Sequence, residues 1–211
     1  LMKLTVKTWI EINKKAVQHN IKTLRRLLKP RTKLWAVVKS NAYGHGLLTF
    51  SKIANEFGVD GFCADSVIEG VKLREEGIKN HILVLGPTFK NLFKLAAEND
   101  ITITISNFES LRELAKSRHK PNFHLKIDTG MHRQGFYTSE LPSVVRKIPN
   151  PQFPISNYCK GIYTHFASAK DINYPTFTEK QFAEFQKAVR MLERAGFRNL
   201  VKHAAATGGA L

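Results

Sequence analysis

The 211 residues, 43% of them hydrophobic, suffice for one substantial core and argue against disorder. No run reaches the roughly 18 to 20 apolar residues of a membrane span, and the start LMKLTVKTWIEIN lacks the apolar stretch and small-residue cleavage site of a secretory signal, so a soluble cytoplasmic protein is expected. The formal net charge of +16 would suit nucleic acid, anionic lipid or phosphorylated ligands. It is spread along segments such as NKKAVQHNIKTLRRLLKPRTK and LAKSRHKPNFHLK without interleaved aromatics, which speaks for a solvated basic surface and against nucleic-acid or membrane partners.

An extended start at residues 5 to 12 leads into a helix that Asn13 can cap, with Val17, Ile21, Leu24 and Leu28 on one face and Pro30 past its end. From there short β-branched runs alternate with apolar residues at helical spacing. The strand candidates are 35 to 39, 61 to 64, 81 to 85, 101 to 105, 123 to 127, 161 to 165 and 201 to 204. Helical patterns cover 47 to 57, 67 to 76, 91 to 98, 109 to 116 and 139 to 147. A last helix opens on Thr178 and Gln181 as a capping box before Phe182, Phe185, Val189 and Leu192, with Gly196 as its stop. Cys63 and Cys159 sit in no paired-ligand spacing, so neither a disulfide framework nor a metal site is expected.

Seven strand-helix units in order point to an α/β fold of the TIM (β/α)8 barrel class, incomplete at the C-terminus, where an eighth strand and helix would close the ring. No linker or repeat divides residues 1 to 211, so they are read as one barrel domain. A seven-stranded doubly wound open sheet is the alternative.

In a barrel the chemistry sits at the C-terminal strand ends. The first strand ends on Lys39, followed by Tyr43 among Gly44 and Gly46; an amine desolvated at an apolar mouth suits Schiff-base chemistry. The fifth runs through Lys126 and Asp128 to Met131, His132 and Arg133, an arginine placed to grip a carboxylate. The sixth ends in Thr164 and His165, a ring able to stack or act as a base. The seventh runs into Ala204, Ala205, Ala206, Thr207, Gly208 and Gly209, whose amides and hydroxyl could cradle a phosphate. Singly these are a surface lysine, a solvated arginine, a core histidine and a Gly-rich turn; their common position at strand ends is the signal.

The string Ala36-Val37-Val38-Lys39-Ser40-Asn41-Ala42-Tyr43-Gly44-His45-Gly46 resembles the cofactor-lysine signature of alanine racemases, with Ser40 where alanine is more usual. The runs Lys126 to Arg133, Thr164 to Ala167 and His203 to Ala205 resemble that family's later motifs in the same order. The resemblance implies pyridoxal 5'-phosphate as cofactor, held on Lys39, which also serves as the base on the D-alanine side. It implies Tyr43 and Thr207 on the cofactor phosphate, His165 against the pyridine ring, Arg133 on the phenolic oxygen and the substrate carboxylate, and Met131 beside the substrate. Lys126 matches a lysine that some members carbamylate to hold the arginine. A homodimer acting on a small amino acid, making D-alanine for peptidoglycan, is implied as well.

Two departures stand out. Ala206-Thr207 replaces the family's usual Asn-Ser, keeping the hydroxyl and losing the amide. The eighth strand with its arginine, and the C-terminal β domain that gives the tyrosine base for the L-alanine side, are expected to be absent from this chain, which alone is expected to be inactive. Other readings are a single-domain pyridoxal-phosphate-binding homeostasis protein of the same barrel type, a racemase for serine or a broader amino-acid set, and a non-catalytic basic interaction module.

Overall fold

A computed structural model of the chain describes residues 7–148 and 155–210; residues 5 and 6 of the extended start and Leu211 lie outside them. Residues 8 to 13 carry no strand, so the start read at 5 to 12 adds none among the described residues. The strands are β1 (Trp35–Val37), β2 (Gly61–Ala64), β3 (His81–Val84), β4 (Ile101–Ile105), β5 (Phe123–Lys126), β6 (Cys159–Tyr163) and β7 (Val201–His203). All are parallel, each hydrogen-bonded to the next in chain order.

A doubly wound sheet reverses its strand order partway, and this one does not. It also curls, since the Trp35 ring on β1 lies 6.0 Å from the His203 ring on β7, the other end of the strand order. The architecture is a (β/α) barrel open between β1 and β7, with no eighth strand among the described residues.

The helices outside follow the sequence patterns closely. Lys14–Leu27 is capped by Asn13, whose Oδ1 accepts from the Ala16 amide at 3.0 Å. Val67–Glu75 and Phe108–Lys116 are capped by Ser66 and Asn107 in the same manner. These short polar side chains satisfy amides that the first helical turn leaves open. Leu47–Glu56 has no side-chain cap, and Phe93–Glu98 and Leu141–Lys147 each follow a 3-10 turn.

The last long helix departs from its reading. It spans Thr176–Arg194 and starts from Pro175, so Thr178 and Gln181 are not its capping box. Proline has its φ already set for a helix start, which moves the boundary upstream. Gln181 is thereby carried inside the helix and buried.

Alternation along each strand sorts the side chains onto two faces. Phe62, Ile82, Val84, Ile103, Leu125 and Ile162 turn outward into the apolar core beneath the helices. The inward face is aromatic and polar. Trp35 stacks on His81 at 6.0 Å and lies 6.2 Å from His124, and His124 Nδ1 is 2.9 Å from His203 Nε2. These four rings come from β1, β3, β5 and β7, as a barrel layer built from alternate strands requires.

Burial and the neighbouring His203 and His81 rings push His124 down to about 3, and burial takes His203 down to about 4, so these two rings carry no charge near neutral pH. The strands between make room with glycine: a Cβ on Gly61 would lie 2.8 Å from the Trp35 ring, and one on Gly161 2.7 Å from the His124 ring. Cys63 and Cys159 are free, buried thiols pushed up to about 12 by burial.

Gly161→Ala forces the His124 ring out of this layer and is expected to destabilise the fold by about 1–3 kcal/mol, the usual range for overpacking. A urea midpoint equal to that of the parent chain would show that the layer is not tightly filled.

Candidate active site

The inward positions continue up each strand to the barrel mouth. On β1 the succession is Trp35, Val37 and then Lys39, half-buried at the strand's end. On β5 it is His124 and then Lys126, and on β6 Gly161, Tyr163 and then His165. Lys126 and His165 therefore reach the mouth from neighbouring strands, and Lys39 follows β1 near enough for its charge to act on both.

Beyond Lys39 the backbone does something the sequence does not announce. Ser40, Asn41, Ala42 and Tyr43 have φ of 53°, 55°, 52° and 54°, a left-handed turn in four residues that carry side chains. Such a conformation costs roughly 1–2 kcal/mol per residue and persists only where its surroundings hold it. Here the Ala42 amide donates to the Val38 carbonyl at 2.8 Å, and the Asn41 carbonyl accepts from Gly44 and Gly46. Asn41 Oδ1 accepts from the Leu47 amide at 2.8 Å, tying the turn to the following helix. Glu69 closes the arrangement from outside, accepting from the Asn41 amide at 3.2 Å on Oε1 and from the Asp65 amide at 2.7 Å on Oε2. Sequence reading passed over Glu69; its one visible sign is its place three residues after the cap Ser66.

The segment after β5 winds around a carboxylate. Asp128 Oδ1 accepts from the amides of Gly130 at 2.9 Å and His132 at 3.0 Å, and Oδ2 from that of Arg133 at 3.0 Å. Burial opposes ionisation of Asp128, but these three amides outweigh it and hold its carboxyl below the usual range. Lys126 is 5% exposed, donates to Gln134 Oε1 at 2.9 Å, and lies 5.6 Å from the centre of the Tyr163 ring. Gln134 in turn donates to Ser106 Oγ at 3.1 Å. Burial, the Arg133 guanidinium and, more weakly, the Lys39 ammonium push Lys126 down to about 8 against the partial support of Asp128. Burial lowers His165 too, followed by the cations of Arg133, Lys126 and Lys39, so its ring is neutral at physiological pH.

Lys126, Asp128, Met131, Arg133, Gln134 and His165 line one cavity. Tyr43, 61% exposed, and Thr207 stand at the surface and do not line it. Thr207 opens a short turn at Thr207–Ala210, close against the 166–170 segment: a Cβ on Gly208 would lie 3.2 Å from the Lys170 side chain and one on Gly209 3.4 Å from the Phe166 ring. The structure thus joins Lys126, Met131, Arg133 and His165 around one cavity, sets Lys39 outside its lining but close enough for its charge to act on Lys126 and His165, and leaves the two hydroxyls at the rim.

Lys126 and Arg133 beside Asp128, with the Lys39 charge acting on Lys126, leave an excess of positive charge that suits an anion. The donor set fits pyridoxal phosphate: an amine for its carbonyl carbon, a guanidinium for an anionic oxygen, a neutral ring for its pyridine face, and rim hydroxyls with small-residue amides for a phosphate. Among the described residues no group of three or more His, Cys, Asp or Glu side chains is placed to hold a metal ion.

The family model described as "Alanine racemase, N-terminal domain" matches residues 12–211. The alanine racemase of Listeria innocua is 41% identical over 186 residues, covering 88% of this chain and 50% of the relative. That of Methanococcus maripaludis is 38% identical over 204 residues, covering 93% of this chain and 53% of the relative. Among solved structures, the alanine racemase of Clostridium difficile 630 in complex with cycloserine is similar at a TM-score of 0.86 and 32% identity, over 99% of this chain and 57% of that one. The Bacillus anthracis alanine racemase with bound L-Ala-P has a TM-score of 0.86 at 28% identity, over 100% of this chain and 54% of that one. The chain spans about half the length of the curated relatives it matches.

The lowered titration of Lys126 has a measurable consequence for stability. With a folded value of about 8 against 10.5 in an unfolded chain, the unfolded state binds more protons between those limits. Stability contributed at this position therefore rises with pH across that window, by about 3 kcal/mol at most. Urea midpoints of the parent and of Lys126→Met, compared at several pH values through that range, should show the parent gaining on the variant as pH rises. A difference that does not change with pH would mean the amine is solvated.

Proposed function

The chain belongs to the family of alanine racemase N-terminal domains, and from that premise we propose that it holds pyridoxal phosphate on Lys39 and carries one face of the machinery that interconverts L- and D-alanine. The family is pyridoxal-phosphate dependent. The observation that carries the reading is one cavity lined by Lys126, Arg133 and His165, with Lys39 beside it past the end of β1 and more cation than anion around it.

In this reading residues 1 to 211 are the N-terminal barrel domain. Lys39 is the residue that would hold the cofactor, and its amine, when free, would take or return the proton at Cα of the amino acid on one face. Arg133 grips the carboxylate through its planar fork, which orients Cα, while Met131 borders the substrate. His165, held neutral by burial and by the cations around it, offers an uncharged ring to stack on the pyridine. Tyr43 and Thr207 reach the phosphate from the rim, with the amides of the 205–209 run. When bound, pyridoxal phosphate supplies the electron withdrawal that acidifies the Cα hydrogen.

Inversion requires a second proton donor on the opposite face of Cα. We assign it to the half of the relatives that this chain does not span, together with the partner for the pyridine nitrogen. The intact protein then works as a homodimer in the cytoplasm, forming D-alanine for peptidoglycan, and turnover belongs to the full-length protein.

Mixing the chain with pyridoxal phosphate, reducing with borohydride and mapping the labelled peptide should place the label on Lys39, with a visible absorbance band before reduction. Lys39→Arg should abolish both. A label spread over surface lysines, in the 211-residue chain and in the full-length protein alike, would overturn the assignment.

A further inference from the structure

Gln181 lies 1% exposed on the inner face of the Thr176–Arg194 helix, where its helical neighbours are Phe185, Ala188, Val189 and Leu192. An apolar side chain would pack there with no polar group to satisfy, so a buried amide needs partners. It has them on both loops of the site. Its Oε1 accepts from the Ala167 amide at 3.0 Å. Its Nε2 donates to Thr129 Oγ1 at 3.3 Å and to the His165 carbonyl at 3.4 Å. Three of the four hydrogen-bonding positions of the amide are thus occupied.

Those partners lie in loops that follow different strands. Thr129 begins the turn that Asp128 organises and that carries Met131 and Arg133. His165 and Ala167 flank Phe166 after β6. The two segments meet directly where Thr129 Oγ1 and Thr164 Oγ1 lie 2.8 Å apart. A Cβ on Gly130 would sit 3.5 Å from Gln181 Cγ and 3.2 Å from the Phe177 ring, so the helix lies close against the arginine turn.

We propose that Gln181 is a positioning residue, whose amide clamps the 128–133 turn to the 164–167 segment and so fixes Arg133 relative to His165. The link to catalysis rests on the reading of the site given under Proposed function; the clamp itself rests on the hydrogen bonds. Gln181 touches no reacting group and acts through the two residues it holds. Its placement in the sequence mimics a helix cap, and the earlier helix start frees it for this role.

The test uses the full-length protein and the variants Gln181→Met, which keeps the volume and removes all three bonds, and Gln181→Glu, which keeps an acceptor for Ala167 and loses the donor to the His165 carbonyl. Amide hydrogen exchange is read first, without cofactor. In Gln181→Met the amides of Gly130, His132, Arg133 and Ala167 should exchange about tenfold faster or more, as for loss of a buried hydrogen bond. The core strands should be unchanged, with Gln181→Glu in between.

On the loaded protein, propionate affinity should fall about tenfold in Gln181→Met. Propionate is a carboxylate of alanine's size that has no amine. Borohydride labelling of Lys39 should persist. Unchanged exchange at those four amides, or acceleration spread through the β-strands with a lower melting temperature, would overturn the clamp. Failure of the parent protein to label at Lys39 would overturn the functional reading instead, and exchange would still decide the clamp.

Discussion

Every second side chain of each strand points into the barrel, and the register between parallel strands decides at what height those side chains meet. Lys126 and His165 reach the mouth because each lies two residues above an inward group of its own strand, His124 and Tyr163, and Lys39 follows the end of β1. The layer of Trp35, His81, His124 and His203 beneath them fills the barrel. Two glycines on intervening strands let those rings approach, so packing at the floor and chemistry at the mouth depend on the same register.

Gathering Lys39, Lys126 and Arg133 in one region is unfavourable in isolation, and burial together with these cations lowers the titrations of Lys126 and His165. The fold offsets it locally: Asp128 keeps its charge through three backbone amides, and Gln134 gives Lys126 a neutral acceptor. The remaining excess of cation is what an anionic ligand would neutralise, so the same electrostatics that cost stability favour binding.

Two devices hold the site's backbone where its own preferences would not. The left-handed turn after Lys39 costs on the order of 4–8 kcal/mol over its four residues. It is held by main-chain bonds, the side chain of Asn41 and the carboxylate of Glu69 from the next strand-helix unit. Across the mouth, Gln181 bonds to the loops of β5 and β6 from a helix that neither loop contains. In both cases a side chain from a neighbouring element fixes a loop, which is how a barrel gives precise positions to residues outside its strands.

The sequence by itself determined the order and spacing of the elements, because period-two and period-3.6 patterns with local caps such as Asn13, Ser66 and Asn107 are properties of short segments. It also marked Lys39, Arg133 and His165, since strand ends are visible where apolar runs stop. Only the tertiary structure showed that Arg133 and His165 line one cavity with Lys39 close by, that Lys126 is buried among cations, and that Tyr43 and Thr207 stand at the rim. Glu69 and Gln181 escaped sequence reading for a related reason. A glutamate near a helix start and a glutamine three residues after a threonine look like local caps, whereas their partners Asn41 and Thr129 lie 28 and 52 residues away. Contacts of that separation are set by strand register and helix packing, which no local pattern encodes.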